Sequence, residues 1–242
     1  MAKLTAEQLE KLREFDSPTV CNALEAFGVK YRFNCYGKPG MVQRAGDTSK
    51  PMVGYAVTAK VSSMAPATPE QAQLQMDLYA NTRAEEGPSI ICIQDTDLQP
   101  IGSYWGEVQA TTHKSLGAVG TLVQGGVRDI PAADELGFYF MSTEVLVSHA
   151  FIHVEVVDCP VVICGLTINP GDLIHADIHG FVVIPEEIAP KLYDACVAIA
   201  AAEMPVLEPC RKALADGVRP AIEDLKVWRA GMAAARKAVK VD

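Results

Sequence analysis

The hydrophobic pattern of the first half of the chain alternates between strand-like and helical segments. Residues 89–95 form a continuous apolar run of the kind found in a strand that is covered on both faces. Residues 118–123 form a second apolar run of strand length, and residues 53–62 alternate as a strand does. Residues 69–79 are predicted to be a helix that starts at a proline. This order of elements favours an α/β fold.

The N-terminal segment predicts two helices. Leu4, Leu9, Leu12 and Phe15 lie on one helical stripe, and a second helix is expected to begin at Ser17, with Pro18 at its first turn, and to end near Gly28. Residues 31–50 are rich in Gly and in Lys or Arg and have no clear period. They are predicted to be a loop.

The second half of the chain is richer in short strands. A helix over residues 132–136 is followed by predicted strands at 138–141, 154–158, 161–164, 173–176 and 181–184. From residue 186 the pattern is mostly helical, with Pro205, Pro209 and Pro220 as expected breaks. We therefore predict a layered α/β domain with a mixed sheet over residues 1–204, and a helical extension over residues 205–242. The basic, amphipathic stretch 224–241 is interpreted as a packing arm.

Composition and charge argue against some classes of function. The net charge of −9 argues against a nucleic-acid-binding surface, which needs clustered Lys and Arg. No segment has eighteen uninterrupted apolar residues, and the first fifteen residues lack the apolar stretch of a signal peptide, so we expect no membrane partner and a cytoplasmic location. Seven cysteines without a C-x-x-C pair are expected to be reduced and mostly buried.

Residues 102–131 contain the strongest candidate for a site. Gly106 and Glu107 open a predicted helix and Gly117 closes it, and residues 118–123 return as a strand. Arg128 and Asp129 then lie beyond the carboxyl end of that strand, where α/β sheets bind ligands. One helix out and one strand back returns the chain to its starting level. We therefore expect Glu107 and Asp129 to face a common pocket.

These residue types suit an anionic ligand and a hard cation. Arg128 offers a rigid fork of donors for a carboxylate, and Asp129 offers an oxygen ligand of the kind that Mg²⁺ accepts. The run Gly106, Glu107, Val108, Gln109 is expected to present free N–H groups at a helix N-terminus. The alternatives are a capped turn with a surface ion pair and an ordinary helix start.

A second polar group lies near residue 177. His175, Asp177 and His179 alternate along a predicted strand, so their side chains can point to one side. A metal site and a polar strand face are both compatible with this spacing, and the polar face is the more common case.

The spacing of an acidic residue after glycine, twenty residues, then Arg-Asp resembles the signature of the RraA-like family. Residues 17–28 (SPTVCNALEAFG) and 170–185 (PGDLIHADIHGFVVIP) are similar to two further recurrent stretches of that family. The likeness covers roughly residues 15–190. The family includes class II 4-hydroxy-4-methyl-2-oxoglutarate and 4-carboxy-4-hydroxy-2-oxoadipate aldolases, which also decarboxylate oxaloacetate. Many of these aldolases have Asp where this chain has Glu107.

The resemblance implies a swivelling β/β/α-type domain that assembles as homotrimers or hexamers with sites at subunit interfaces. It also implies a lyase that uses Mg²⁺ or Mn²⁺ and releases pyruvate from a 2-oxo acid substrate. Residues 106–109 and Arg128 would hold the pyruvoyl end, and Asp129 would hold the metal directly or through waters. Arg128 would stabilise the enolate, and Glu107 would orient a water that serves as base.

The same resemblance leaves open a function from another class. Relatives in the family are described as inhibitors of ribonuclease E, so a non-enzymatic binding protein is the alternative. Such a protein needs only a surface, whereas the matching spacing of Glu107, Arg128 and Asp129 favours the enzyme.

Overall fold

A mixed sheet of nine strands forms the centre of residues 3–239, which are the residues that the computed structural model describes. Its middle consists of four parallel neighbours: β2 (Met52–Ser62), β3 (Ser89–Asp95), β5 (Ala118–Val127) and β6 (Tyr139–Val145). The antiparallel strands are β1 (Val42–Ala45) beside β6, and β10 (Leu173–Asp177) and β11 (Gly180–Ile184) beyond β2. Two strands pair with the far ends of longer ones: β4 (Ser103–Trp105) with β5, and β7 (His153–Val157) with β2.

Helices flank this sheet and also occupy both ends of the described chain. They are α1 (Ala6–Leu12), α2 (Ser17–Phe27), α3 (Tyr31–Asn34), α4 (Pro69–Ala84), α5 (Glu107–Ser115), α6 (Ile130–Leu136), α7 (Ala189–Ala215) and α8 (Ile222–Ala238). Within residues 3–239 no helix has the length and apolar character needed to cross a bilayer.

The alternation of side chains along β3 explains the layering. Ile91 and Ile93 pack in a core cluster with residues of α4, α5 and α6, whereas Ile90 and Cys92 pack on the opposite face. That opposite face is covered by a small sheet of β8 (Val161–Ile163) and β9 (Leu166–Ile168). The order of layers is therefore sheet, sheet and helix, and the predicted β/β/α fold with a mixed sheet and terminal helices is confirmed.

The prediction of a loop for residues 31–50 is wrong in part, because the segment contains α3 and β1. β1 is an edge strand that pairs with β6, with Val42 opposite Ser142 and Ala45 opposite Phe140. Its backbone hydrogen bonds come from a strand about 100 residues away, so no local periodicity in the sequence indicates it.

The expectation that Pro205 and Pro209 break the C-terminal helix is also wrong, since both lie inside α7. The first half of α7 is anchored by buried residues such as Leu192 and Ile199, and α8 packs along the second half. Pro205 itself lies against Gly231 of α8, which has no side chain to clash with the ring. The boundary predicted after residue 204 falls within this helix. Pro220 lies between α7 and α8 as expected, and residues 240 and 241 of the predicted arm lie outside the described residues.

Candidate active site

Two parallel strands end side by side at the candidate site. Trp105 of β4 is paired with Val127 of β5, and the N–H of Arg128 donates to the carbonyl oxygen of Trp105 at 2.9 Å. From Trp105 the chain enters α5 through Gly106, and from Val127 it enters α6 through Arg128 and Asp129. Strand carboxyl ends and helix amino ends therefore meet at one point, as the spacing of the sequence predicts.

Asp129 holds a backbone conformation that side chains rarely adopt. Its φ of 54° and ψ of 37° place it in the left-handed region, directly before the first residue of α6. Such a conformation costs on the order of 1–3 kcal/mol and is concentrated at functional sites in proteins. Asp tolerates it better than most residues because its short side chain can form local hydrogen bonds.

The side chain of Asp129 reaches across to the start of α5. Its Oδ2 accepts a hydrogen bond from the N–H of Glu107 at 3.1 Å and lies 3.9 Å from Nε of Arg128. The carboxylate therefore occupies the positive end of the α5 dipole, where negative charge is favoured. The two residues are in contact through the main chain of Glu107, and the expectation that both side chains face a common pocket stays a prediction. The Glu107 side chain is exposed.

Position 106 has no room for a side chain, so only glycine fits there. A Cβ atom there would lie 2.6 Å from Oδ2 of Asp129 and 3.3 Å from Cγ and Nε of Arg128. Its φ of −156° is ordinary extended backbone, so steric contact and not conformation selects glycine. The close approach of the two segments thus depends on the absence of a side chain at position 106.

Arg128 keeps its donors available. Among the residues that the structure describes, its side chain forms no hydrogen bond with a protein acceptor. Its ion pair with Asp129 is long, and the side chains of Arg128 and Asp129 are 37% and 44% exposed. An exposed ion pair of this kind contributes little to stability. The guanidinium is therefore free to bind a carboxylate with its planar fork of N–H groups.

The first turn of α5 provides further donors. The N–H groups of Val108 and Gln109 belong to the part of a helix where no preceding helical carbonyl accepts them. The Gln109 side chain is held in place, because its Oε1 accepts a hydrogen bond from the hydroxyl of Tyr79 in α4 at 2.8 Å. Sequence reasoning missed Tyr79, and the thirty-residue separation of the pair leaves no spacing signal from which to find it.

A second polar group that sequence reasoning missed lies at the end of β3. Asp95 is only 8% exposed, Oδ1 accepts from the N–H of Asp97, and Oδ2 has no hydrogen-bond partner within the described chain. Burial raises the pKa of the Asp95 carboxyl to about 6. Asp97 is instead well satisfied, since it accepts hydrogen bonds from the hydroxyls of Ser62 and Ser63 at 2.6 Å each.

His175 and Asp177 connect β10 to the α1–α2 junction through hydrogen bonds. Nε2 of His175 lies 3.2 Å and 3.0 Å from the carbonyl oxygens of Leu12 and Phe15, and Nδ1 lies 3.0 Å from Oγ of Ser17. Because carbonyls only accept, Nε2 carries the proton and Nδ1 accepts from the Ser17 hydroxyl.

Asp177 completes this connection, because its two carboxylate oxygens accept from the N–H of Ser17 and the N–H of His179. These side chains fix the α1–α2 junction to β10. Within residues 3–239 no cluster of three or more His, Cys, Asp or Glu side chains is suited to hold a metal ion. The metal interpretation of residues 175–179 is therefore not supported.

The residues at the β5–α6 turn do fit a weakly held divalent cation. The Asp129 carboxylate is 44% exposed, and Oδ1 has no hydrogen bond within the described chain. Mg²⁺ in proteins commonly takes one or two carboxylates and completes its shell with water and substrate oxygens. Asp129 provides one such carboxylate, and Glu107, whose main chain contacts it, is the acidic residue next to it at the start of α5.

The chain belongs to the RraA-like family. The sequence matches that family, described as Aldolase/RraA, over residues 17–183. Protein DlpA of Legionella pneumophila is 31% identical to it over 131 residues, which are 53% of this chain and 20% of DlpA. The chain therefore spans about a fifth of the length of that relative.

Solved structures have the same fold. An uncharacterized protein from Pseudomonas syringae superposes with a TM-score of 0.69 at 21% identity, covering 98% of this chain and 96% of its own. RraAS2 of Streptomyces coelicolor, described as an unusual member of the RNase ES inhibitor RraA protein family, has a TM-score of 0.65 at 22% identity. That match covers 87% of this chain and 98% of the other. At these identities the likeness concerns the fold alone.

Proposed function

We propose that the protein is a divalent-metal-dependent lyase that cleaves 4-hydroxy-2-oxo acids to pyruvate and a carbonyl co-product, and that also decarboxylates oxaloacetate. The observation that carries this proposal is the convergence at the β5–α6 turn. There the guanidinium of Arg128, which has only a long ion pair with Asp129, lies together with the partly exposed carboxylate of Asp129 and the N-terminus of α5. Membership of the Aldolase/RraA family supports the same reaction class.

The pyruvoyl end of the substrate binds at the start of α5. Its carboxylate accepts hydrogen bonds from the N–H groups of the first turn, at Gly106, Glu107, Val108 and Gln109, of which the Glu107 N–H is shared with Asp129. Arg128 binds the same end of the substrate through its guanidinium.

Asp129 would hold Mg²⁺ or Mn²⁺, either directly or through waters, with Glu107 nearby. When bound, the cation acts as a Lewis acid toward the 2-oxo group, which is worth several kcal/mol of charge stabilisation.

Glu107 and Arg128 each have a role in the cleavage of the C3–C4 bond. The 4-hydroxyl group loses its proton to a water that Glu107 orients, and C4 becomes a carbonyl carbon. The electron pair of the C3–C4 bond passes to C3 and is delocalised onto the 2-oxo oxygen as an enolate, which Arg128 stabilises. The proton taken from the 4-hydroxyl group then returns to C3 through the water, which gives pyruvate. Loss of CO₂ from oxaloacetate produces the same enolate, so one site supports both reactions.

A regulatory protein that binds a ribonuclease is the alternative. It requires a complementary surface and makes no use of a partly exposed arginine, a strained aspartate and a helix N-terminus at one point. These features therefore favour the lyase.

The test is pyruvate release from a panel of 4-hydroxy-2-oxo acids and from oxaloacetate, with added Mg²⁺ or Mn²⁺ and after chelation. We expect chelation to abolish activity reversibly, because so few protein ligands hold the cation weakly. Arg128→Ala should lower kcat/KM by about 10²- to 10³-fold while the fold is retained, since one preorganised donor is lost.

Arg211→Ala, on the exposed part of α7, is the matched control and should retain full activity. Near-normal turnover by Arg128→Ala would remove Arg128 from the site. Full activity after exhaustive chelation, with no metal found by elemental analysis, would reject the metal-dependent reaction.

A further inference from the structure

Two polar side chains of α4 hold one face of α5. Tyr79 and Thr82 are three residues apart on α4, so they lie on the same side of that helix. The Tyr79 hydroxyl donates to Oε1 of Gln109 at 2.8 Å, and Oγ1 of Thr82 lies 3.0 Å from Nδ1 of His113. Gln109 and His113 are four residues apart on α5 and therefore also share a face. The contact between the two helices is thus a polar one.

The imidazole of His113 is completely buried and uncharged. It has no exposed surface, and burial lowers its pKa to about 3. The Thr82 hydroxyl has one proton and donates it to the carbonyl oxygen of Leu78 at 2.9 Å, so Oγ1 of Thr82 accepts from the Nδ1–H of His113. A neutral imidazole carries one proton, which leaves Nε2 as an acceptor. Within residues 3–239 this Nε2 has no hydrogen-bond partner.

The indole of Trp105 is the complementary group. Trp105 is also completely buried, and its Nε1–H, which can only donate, has no partner in the described part of the chain. Its ring centroid lies 5.1–6.0 Å from those of Tyr104, His113, Phe138 and Phe140. The phenylalanine rings have no nitrogen or oxygen, and the hydroxyl of Tyr104 is bonded to Gln75. The nearest of the four rings, at 5.1 Å, is His113.

A donor without an acceptor and an acceptor without a donor therefore lie on two rings in contact. The two nitrogens do not bond directly, because neither has a partner among the residues that the structure describes. Buried polar groups that stay unpaired carry the full cost of desolvation. Internal water molecules commonly satisfy such groups in proteins. A single water can accept from the indole N–H and donate to the imidazole nitrogen at the same time.

We propose that Trp105 and His113 bind one buried water molecule between them, and that this water completes a chain of hydrogen bonds which positions the first turn of α5. The chain joins the carbonyl oxygen of Leu78, the Thr82 hydroxyl, both nitrogens of His113, the water and the indole N–H of Trp105. Each donor in it meets one acceptor, so the chain fixes one tautomer of His113.

Trp105 connects this chain to the candidate site. Its carbonyl oxygen accepts from the N–H of Arg128 at 2.9 Å, and the next residue, Gly106, directly precedes α5. A shift of the indole would therefore move both Arg128 and the start of α5. Thr82 and His113 act through Trp105 and are positioning residues. Their effect on turnover rests on the proposed lyase function, whereas the water and the tautomer do not.

A crystal structure that shows ordered waters, together with NMR of protein labelled with ¹⁵N-histidine, tests the chain directly. We expect a water within hydrogen-bond distance of Nε1 of Trp105 and Nε2 of His113. Long-range ¹H–¹⁵N spectra at neutral pH should place the proton of His113 on Nδ1. His175, whose Nε2 faces two carbonyl oxygens, should give the opposite tautomer in the same spectrum. A direct bond between the two rings, a space without a water, or a proton on Nε2 of His113 would each overturn the proposal.

Two variants of His113 separate its two hydrogen bonds. His113→Gln places an amide near the position of Nε2, and His113→Asn places one near the position of Nδ1. The measurement is hydrogen exchange of the Trp105 indole N–H in a Trp228→Phe background, which leaves one tryptophan. We expect slow exchange with His113 or Gln and exchange more than about tenfold faster with Asn, because a bonded N–H exchanges only when the structure opens. Equal rates in the Gln and Asn variants, both folded by circular dichroism, would contradict an acceptor at Nε2.

Thr82→Val removes the hydroxyl at the other end of the chain and keeps the side-chain shape. The proton of His113 should then shift toward Nε2. Thr111→Val, the same substitution at an exposed position of α5, is the matched control and should keep the Nδ1 tautomer. An unchanged tautomer in Thr82→Val would mean that Thr82 does not fix the imidazole.

The kinetic test uses the same pair of variants. In the pyruvate assay, Thr82→Val should lose on the order of 10- to 10²-fold in kcat/KM, because small displacements of binding groups are costly, and Thr111→Val should not. Full activity of Thr82→Val would exclude the positioning role. If the wild type releases no pyruvate from any substrate, the lyase function fails, and the crystallographic and NMR results still decide whether the water and the tautomer are present.

Discussion

Asp129 takes part in three features of the candidate site. Its left-handed backbone turns the chain from β5 into α6, its Oδ2 accepts from the N–H of Glu107, and the same atom approaches Arg128. The strain of its backbone is offset by the hydrogen bond across to α5, where the helix dipole favours a carboxylate. A single residue therefore fixes the relative position of both helix starts.

Glu107 is the position at which the two proposed reactions can be separated. Aldol cleavage removes a hydroxyl proton, whereas decarboxylation of oxaloacetate releases CO₂ and needs no such base. We expect Glu107→Gln to lose about 10²- to 10⁴-fold in aldolase kcat while most decarboxylase activity remains. The measurement is kcat for both reactions with the same preparation at saturating metal.

The backbone N–H of Glu107, which contacts Asp129, is unchanged in Glu107→Gln, so the local geometry is preserved. Equal losses in both reactions would assign Glu107 to binding of the metal or the substrate. If both reactions keep their rates and the free energy of unfolding falls by only a few tenths of a kcal/mol, the role of Glu107 is to interact with the dipole at the start of α5.

Asp95 predicts a measurable dependence of stability on pH. Its pKa is raised to about 6 by burial, whereas an exposed Asp titrates near 3.9. Between these values the folded state binds more protons than the unfolded state, so the contribution of Asp95 to the free energy of unfolding falls as the pH rises from about 4 to about 6. Asp95→Asn has no ionisable group at this position, so the pH-dependent decrease in the free energy of unfolding is absent. Relative to wild type, the variant should gain on the order of 1–2 kcal/mol between pH 4 and pH 7 in urea unfolding.

Asp97→Asn is the matched control. Burial opposes ionisation of Asp97, but hydrogen bonds from Ser62 and Ser63 outweigh it and lower the pKa. Its stabilising contribution is lost only below about pH 4, so this variant should be less stable than wild type by a similar amount at both pH values. An Asp95→Asn variant with the same pH profile as wild type would contradict the raised pKa.

At the residue scale, the sequence indicates which residues lie close together and says little about the contacts between them. The twenty-residue interval between Glu107 and Arg128 predicts that one helix and one strand separate them, and the structure has that arrangement. The left-handed conformation of Asp129 and the bond from Tyr79 to Gln109 depend on tertiary contacts. Neither has a periodic signal in the sequence.

The contact between α5 and the β5–α6 turn is an element-scale feature that depends on Gly106. In Gly106→Ala the new methyl group would meet Oδ2 of Asp129 at 2.6 Å, so the two segments must separate. We expect a loss of about 1–3 kcal/mol in the free energy of unfolding and a large fall in kcat. Chemical denaturation and the pyruvate assay measure the two effects.

Gly28→Ala is the control for the loss of a glycine at a helix end. A Cβ at position 28 meets its nearest neighbour at an ordinary 3.7 Å, in the ring of Tyr31. This variant should keep full activity. A fully active Gly106→Ala variant would mean that the close approach of α5 to Asp129 is not needed for turnover.

Elements with a strong local pattern are those that the sequence predicts well. The apolar run of β3 and the capped start of α2 are observed within a residue or two of their expected bounds. β1, β4 and β9 have three or four residues each, which is too short for a period, so the sequence does not predict them. The continuity of α7 through Pro205 and Pro209 depends on packing against α8.

At the scale of the whole molecule, exposed apolar side chains lie on the segments that lead into and out of the candidate site. Val147, which is 94% exposed, follows β6, and Leu98 and Ile101 lie in the connection from β3 to β4. Val108 lies on the first turn of α5. Hydrogen bonds hold the two connections together, since the N–H of Ser103 donates to the carbonyl oxygen of Ser148 at 2.9 Å. Apolar patches of this kind often mark interfaces between proteins.

We expect the chain to form a homotrimer or a hexamer in which this apolar rim is buried beside the site. Light scattering at micromolar concentration should give three or six times the monomer mass. Val147→Asp should lower the assembly state, because an unpaired charge is costly at the centre of an interface. Val29→Asp, which changes another exposed valine in the α2–α3 connection, should leave the mass unchanged.

Activity distinguishes a shared site from a site contained within one subunit. If residues of a neighbouring subunit complete the pocket, the kcat of Val147→Asp should fall in proportion to the assembled fraction and should recover at higher protein concentration. A Val147→Asp monomer that turns over at the wild-type rate would mean that one chain holds the complete site. An assembly that survives Val147→Asp unchanged would exclude this rim as the interface, and a monomeric wild type with full activity would contradict the trimer itself.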